Sequence, residues 1–81
     1  MRVVTLKLIE LTSDMVTYEY FPEDNRNYPG KVALDLKTNK RIFLKDSAED
    51  FGKRYAAHAL RLIEEYNSNG EFKREGLVAW Y

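Results

Sequence analysis

The chain has 81 residues, 13 basic and 13 acidic side chains, one histidine and no cysteine. This length suits a single domain covering residues 1–81, and the lack of cysteine excludes a disulfide framework, a thiolate zinc site and an iron–sulfur cluster. A net charge of zero argues against a dedicated duplex-DNA binder. Lys7 and Glu10 interrupt the N-terminal apolar stretch, so no signal peptide or membrane span is expected, and we expect a cytoplasmic protein.

Two strands are predicted at the start of the chain, over residues 2–11 and 15–21. Apolar and other residues alternate in part along both, and the intervening residues 12–14 are typical of a turn, so the pair is predicted to form a β-hairpin. The apolar residues expected to share one face are Val4, Leu6, Leu8, Val16, Tyr18 and Tyr20.

A loop and two more strands follow. Residues 22–30 contain two prolines, two asparagines and a glycine, which are typical of a loop. Residues 31–36 and 41–45 are predicted as strands, with the inward-facing positions Val32, Leu34, Leu36, Ile42 and Leu44. The four strands therefore predict an antiparallel sheet that is covered on one face.

The second half of the chain is predicted to form one helix, beginning with Asp46 or Ser47 as N-cap and ending near Gly70. A stripe of side chains with helical spacing is expected to pack on the sheet, and Gly52 within it is expected to allow close approach to a strand or a ring. The stripe comprises Ala48, Phe51, Gly52, Tyr55, Ala59, Leu62, Ile63 and Tyr66.

The last five residues, 77–81, are all apolar or aromatic and include Trp80 and Tyr81. Because an apolar segment needs a place to be buried, a short fifth strand on the same core is predicted. The alternative is that Trp80 and Tyr81 belong to a surface that binds a partner or a second copy. The predicted fold is α+β: an antiparallel four-stranded meander with one helix packed on one face and a short C-terminal strand, in the order β-β-β-β-α-β.

Catalytic chemistry finds little support in the sequence. His58 is the only histidine, and it is interpreted as a boundary residue bonded to a backbone or tyrosine oxygen. A small enzyme that uses His58 would require a carboxylate or hydroxyl within reach in a cleft. The adjacent acidic residues are explained by a loop, a helix start and a solvated helix face. We therefore expect no enzyme activity, no metal and no cofactor.

Binding surfaces are the more natural hypothesis. The long 22–30 loop carries Tyr28, and the sheet face opposite the helix is expected to carry Phe43 and Lys7 among others. The predicted binding residues are Tyr28, Phe43, Lys7, Lys45, Trp80 and Tyr81. Such surfaces predict a non-enzymatic protein that binds an unknown protein partner or forms a homodimer.

An alternative function is binding of single-stranded nucleic acid on the open sheet face, through base stacking on Phe43 and phosphate contacts from Lys7, Arg41 and Lys45. This alternative is less favoured, because Tyr18 and Tyr20 are predicted to face the helix. Phe21 and Phe43 then remain as the only aromatic residues expected on that face.

Four segments carry a resemblance to small uncharacterised bacterial proteins. They are Tyr18-Glu19-Tyr20-Phe21-Pro22-Glu23, Asn27-Tyr28-Pro29-Gly30, Tyr55-Ala56-Ala57-His58-Ala59 and Gly76-Leu77-Val78-Ala79-Trp80-Tyr81. Such families are known mainly as structural-genomics targets. The resemblance covers nearly the whole chain and implies a stand-alone bacterial domain, with no activity and no catalytic residues to transfer.

Overall fold

A computed structural model describes residues 1–81 as one antiparallel sheet and one long helix. The strands are β1 (Arg2–Leu11), β2 (Met15–Pro22), β3 (Gly30–Asp35), β4 (Arg41–Lys45) and β5 (Glu75–Trp80), and the helix is α1 (Arg54–Asn69). A single 3₁₀ turn, Phe51–Lys53, precedes α1. The strand order is β4-β3-β2-β1-β5, so the C-terminal strand pairs with the first one. The predicted α+β class is confirmed.

The core lies between α1 and one face of the sheet, and its centre is formed by side chains from β1, β2, β3 and the helix. Alternation in the strands and helical spacing in α1 place these side chains on facing surfaces. The fully or almost fully buried apolar residues of this cluster are Val4, Leu6, Val16, Tyr18, Tyr20, Val32, Leu34, Tyr55, Ala56, Ala59, Leu60, Ile63 and Tyr66. Trp80, Val78 and Leu62 pack against its margin.

Two glycines let large tyrosine rings lie directly on the sheet. A Cβ atom at Gly30 would overlap the ring of Tyr20, its neighbour across β2 and β3. A Cβ atom at Gly76 would overlap the hydroxyl of Tyr66, which extends from α1 over β5. The close approach of these side chains favours glycine at both positions.

The start of the helix differs from the sequence prediction. The helix begins at Arg54 rather than after Asp46 or Ser47, because Gly52 (φ 74°) and Lys53 (φ 59°) adopt left-handed conformations that interrupt it. No atom lies within 4 Å of a Cβ built on Gly52, so this glycine supplies a backbone conformation and not the expected close contact.

The same interruption changes which side chains reach the core. Phe51 is 80% exposed and Ala48 is also exposed, although both were predicted to lie on the buried stripe. Ala56 and Leu60, which were absent from the predicted stripe, are fully buried. The predicted helix end is confirmed, since Gly70 caps α1 in a left-handed conformation (φ 79°).

The predicted orientation of β4 is also wrong. Ile42 lies opposite Ala33 on the face away from the helix, whereas Phe43 lies opposite the buried Val32 on the helix face. Leu44, predicted to point inward, is 51% exposed. A register shift occurs between Lys31 and Val32, and three consecutive apolar residues in β4 give no alternation from which a face could be assigned.

No helix in the protein combines the length and the apolar composition that are needed to cross a membrane.

The close approach of Tyr20 to Gly30 predicts a position-specific cost of adding one methyl group. Gly30→Ala is expected to lower the free energy of unfolding by about 1–3 kcal/mol through overpacking, measured by urea denaturation. Gly70→Ala is the comparison, because its site is open and only the left-handed backbone opposes the substitution, at a cost of about 1 kcal/mol. Equal stability of Gly30→Ala and the unmodified protein would contradict this packing.

Candidate functional site

The face of the sheet opposite the helix carries a row of charged residues that crosses all five strands. In strand register, Lys7 lies opposite Glu75 on one side and Glu19 on the other. Glu19 lies opposite Lys31, which lies opposite Lys45 at the far end. Lys7 is therefore flanked by acidic residues, and three strand spacings, about 14 Å, separate its strand from that of Lys45. The two predicted lysines do not form one basic site.

Aromatic side chains on this open face are covered or absent. Phe21 is only 5% exposed, and the guanidinium carbon of Arg26 lies 4.4 Å from its ring centroid. Phe43 and Arg41 lie on the helix face, where the Arg41 side chain bonds both carboxylate oxygens of Glu64 at 2.8 and 2.9 Å. Their predicted place on the open face is wrong. The open face thus gives no support to base stacking.

The 22–30 loop is tied to both faces of the sheet. The Glu23 carboxylate accepts a hydrogen bond from the Tyr55 hydroxyl at 2.6 Å on the helix side, and this bond raises the pKa of the Tyr55 phenol. The Asp24 carboxylate accepts one from the Thr5 hydroxyl at 2.8 Å on the open side, which lowers its own pKa. The loop is therefore an ordered part of the fold.

Tyr28 lies near the end of this loop. Its carbonyl accepts a hydrogen bond from the Ser47 hydroxyl, and the residue as a whole is 42% exposed. Its backbone is therefore anchored while the side chain stays partly accessible.

The most buried acidic group is Asp50, which is 6% exposed. Its carboxylate accepts hydrogen bonds from the amides of Tyr55 (2.9 Å) and Ala56 (3.0 Å) and from the hydroxyl of Tyr20 (2.8 Å). The Tyr20 hydroxyl in turn accepts from the Ser47 amide at 3.1 Å. This carboxylate caps the first turn of α1. Its oxygens already accept three hydrogen bonds from groups of the protein.

Trp80 joins β5 to the helix through two ring contacts. The ring of His58 stacks on it with centroids 3.8 Å apart and an interplanar angle of 16°, and Tyr55 meets it edge-on at 5.3 Å. His58 was expected to bond a backbone or tyrosine oxygen, and this stacking replaces that interpretation. The predicted docking of the C-terminal segment is confirmed up to Trp80, whereas Tyr81 is 99% exposed.

A surface depression lies where β1 extends beyond β5. It has a volume of about 540 Å³ and is lined by both charge signs, including Lys7, Arg26, Arg74 and Glu75. This mixed charge gives it no preference for an anionic or a cationic ligand. No group of three or more metal-ligating side chains comes together in the protein.

The outer edge of β5 has main-chain groups without partners in the sheet. The Leu8 amide donates to the Arg74 carbonyl at 2.8 Å, and the β1–β5 register continues without a shift to Arg2 opposite Trp80. Backbone direction alternates along a strand, so even-numbered residues of β5 bond to β1 and the odd-numbered ones point outward. Free amide and carbonyl groups are thus presented by Glu75, Leu77, Ala79 and Tyr81.

The side chains of β5 do not protect this edge. Residues 76–80 carry no charge, and Leu77 is 60% exposed. Natural edge strands usually carry lysine, proline, a bulge or a cover that prevents further pairing. The opposite edge, β4, has such features: Arg41, Lys45 and a register shift at its junction with β3.

Sequence reasoning identified Trp80 and Tyr81 but missed the edge positions Leu77 and Ala79. The signal was present, because an uncharged six-residue segment, 76–81, is conspicuous in a chain with 32% charged residues. The sequence pattern does not contain the strand order, and it is the strand order that leaves one edge of β5 unpaired.

In comparisons with known proteins, no protein-family model, no curated protein and no solved structure matches the chain. The resemblance to small bacterial proteins stays a prediction.

The two terminal aromatic residues are expected to differ sharply in their effect on stability. Trp80→Ala should lower the free energy of unfolding by about 2 kcal/mol, because it removes two ring contacts and apolar burial. Tyr81→Ala should change it by less than about 0.5 kcal/mol, because the side chain is free in solvent. Urea denaturation of both variants measures the difference, and similar losses would contradict the placement of Trp80.

Proposed function

We propose that this chain is a non-enzymatic binding protein that takes up a segment of another polypeptide as an additional strand beside β5. One observation carries the proposal. Every second residue of the edge strand β5 has amide and carbonyl groups that point outward without a partner, and residues 76–80 carry no charge. We also propose that it is a bacterial cytoplasmic domain, which is supported by the resemblance stated above and by the absence of cysteine.

Strand addition uses main-chain hydrogen bonds for affinity and side chains on alternate faces for selectivity. On the helix face, Val78 and Trp80 lie beside His58 and Leu62 in a groove along the edge, which Arg61 and Glu65 also line. On the open face, Leu77 is exposed beside the charged row. An added strand with apolar residues on both faces would therefore be complementary to β5.

The energetic reason for preferring this edge is that pairing there desolvates little charge. Burial of a charged side chain without a partner is costly, whereas each new main-chain hydrogen bond adds modest net stability. At β4 an added strand would have to accommodate Arg41 and Lys45. The two edges of the same sheet thus differ in their capacity to accept a strand.

Proline at one outward-facing position tests the proposal. Ala79→Pro removes an amide that points away from β1, so the sheet is expected to remain intact while strand addition is blocked. Linear peptides displayed on phage are selected on the full chain, and their affinities are measured by calorimetry. Ala79→Pro is expected to weaken binding by about tenfold or more, the loss of about 1.4 kcal/mol.

Ala79→Ser is the matched control, because it changes the side chain and keeps the outward amide. It should bind the selected peptides as the unmodified protein does. Equal binding to Ala79→Pro would place the peptides elsewhere and contradict strand addition at β5, provided that urea denaturation shows both variants folded.

A further inference from the structure

We infer that the strand accepted by β5 is β5 of a second copy of this chain, running antiparallel about a two-fold axis at Val78. This inference rests on the proposed function and names the partner. The two five-stranded sheets would join as one ten-stranded sheet, with both α1 helices on the same face. Two-fold symmetric dimers are the commonest homo-oligomers, and their interface joins the same surface of both copies.

The alternating direction of main-chain groups along β5 restricts the registers in which two copies can pair. Hydrogen-bonded pairs between two antiparallel edges must join outward-facing residues, which in β5 are the odd-numbered ones. With Val78 on the axis, Leu77 pairs with Ala79 of the second copy and Glu75 pairs with its Tyr81. All outward main-chain groups from Glu75 to Tyr81 then have a partner.

Side-chain sizes and charges also suit this register. Trp80, the largest residue of β5, comes to lie opposite Gly76 of the second copy, and exposed Leu77 lies opposite the small Ala79. The only charged side chain in the paired segment, Glu75, faces no like charge.

Neighbouring registers fit less well. An axis at Leu77 would place Trp80 opposite Arg74, and an axis at Ala79 would place the bulky Trp80 opposite Val78 while leaving Glu75 unpaired. The Val78 axis therefore combines the longest outward pairing with the fewest conflicts of size and charge.

The flank of α1 beside β5 carries two charged side chains of opposite sign. The helix runs antiparallel to β5, because His58 lies on Trp80 whereas Tyr66 reaches Gly76. Arg61 and Glu65 line the groove above β5, and neither forms an ion pair within the chain. Both charges are therefore available to groups of opposite sign in a second copy.

Single-cysteine variants of the full chain test the partner and the register together, because the natural sequence has no cysteine. Val78→Cys on the axis would bring two thiols into a non-hydrogen-bonded pair, with Cα atoms about 4.5 Å apart and within disulfide range. In Leu77→Cys and Ala79→Cys, each thiol lies diagonally from its copy, about 7–8 Å away at Cα. Under mild oxidation, covalent dimer is expected to form about tenfold faster for Val78→Cys than for either neighbour.

The double variant Val78→Cys with Ala79→Pro is the control for edge pairing and should lose the rapid cross-link. Faster cross-linking at position 77 or 79 would contradict the proposed register. Equally slow cross-linking of all three variants, together with an unmodified protein that sediments as a monomer at every concentration, would show that the strand bound at β5 does not come from a second copy. In that last case, phage-selected peptides that bind β5 and are sensitive to Ala79→Pro would still support strand addition by a different partner. Urea denaturation of the reduced variants confirms that each is folded.

Discussion

The buried carboxylate of Asp50 is the constraint on which the arrangement of helix and sheet depends. A buried charge is tolerated only when it is well supplied with hydrogen bonds, and three donors surround this one. Two are amides of the first turn of α1, and the third is the hydroxyl of Tyr20 from β2. Tyr20 reaches it because Gly30 leaves room for the ring. The carboxylate therefore fixes the start of the helix at one point above the sheet.

This fixed start determines how the C-terminal strand is held. Tyr55 belongs to this first turn and His58 follows one turn later, and the rings of both contact Trp80. Further along the helix, Tyr66 lies over Gly76. The helix thus covers one face of β5, and β1 pairs with one of its edges, but nothing in the chain covers the other edge. An edge that is well ordered and uncharged is suited to accept a strand, because little ordering entropy is lost when it pairs.

The strands were predictable because residues in β1, β2 and β3 alternate over enough positions, and the helix end was predictable from Gly70. The helix start was not, because two left-handed residues, Gly52 and Lys53, interrupt a helical pattern that continues through them in the sequence. The face of Phe43 was assigned wrongly because a register shift decides it.

The candidate surface was only partly visible in the sequence for a related reason. Apolar composition indicated that Trp80 needs burial, and this was confirmed. The unpaired edge at Leu77 and Ala79 depends on strand order, a long-range property that residue patterns within one strand do not contain. The stacking of His58 on Trp80 likewise depends on the contact between α1 and β5.

Amide hydrogen exchange along β5 shows directly whether this strand is paired on one edge and free on the other. In dilute protein, the amides of Val78 and Trp80 should exchange slowly, whereas those of Leu77 and Ala79 should exchange rapidly. Raising the protein concentration should protect Leu77 and Ala79 selectively. Uniform rates for all four amides, unchanged by concentration, would contradict the account.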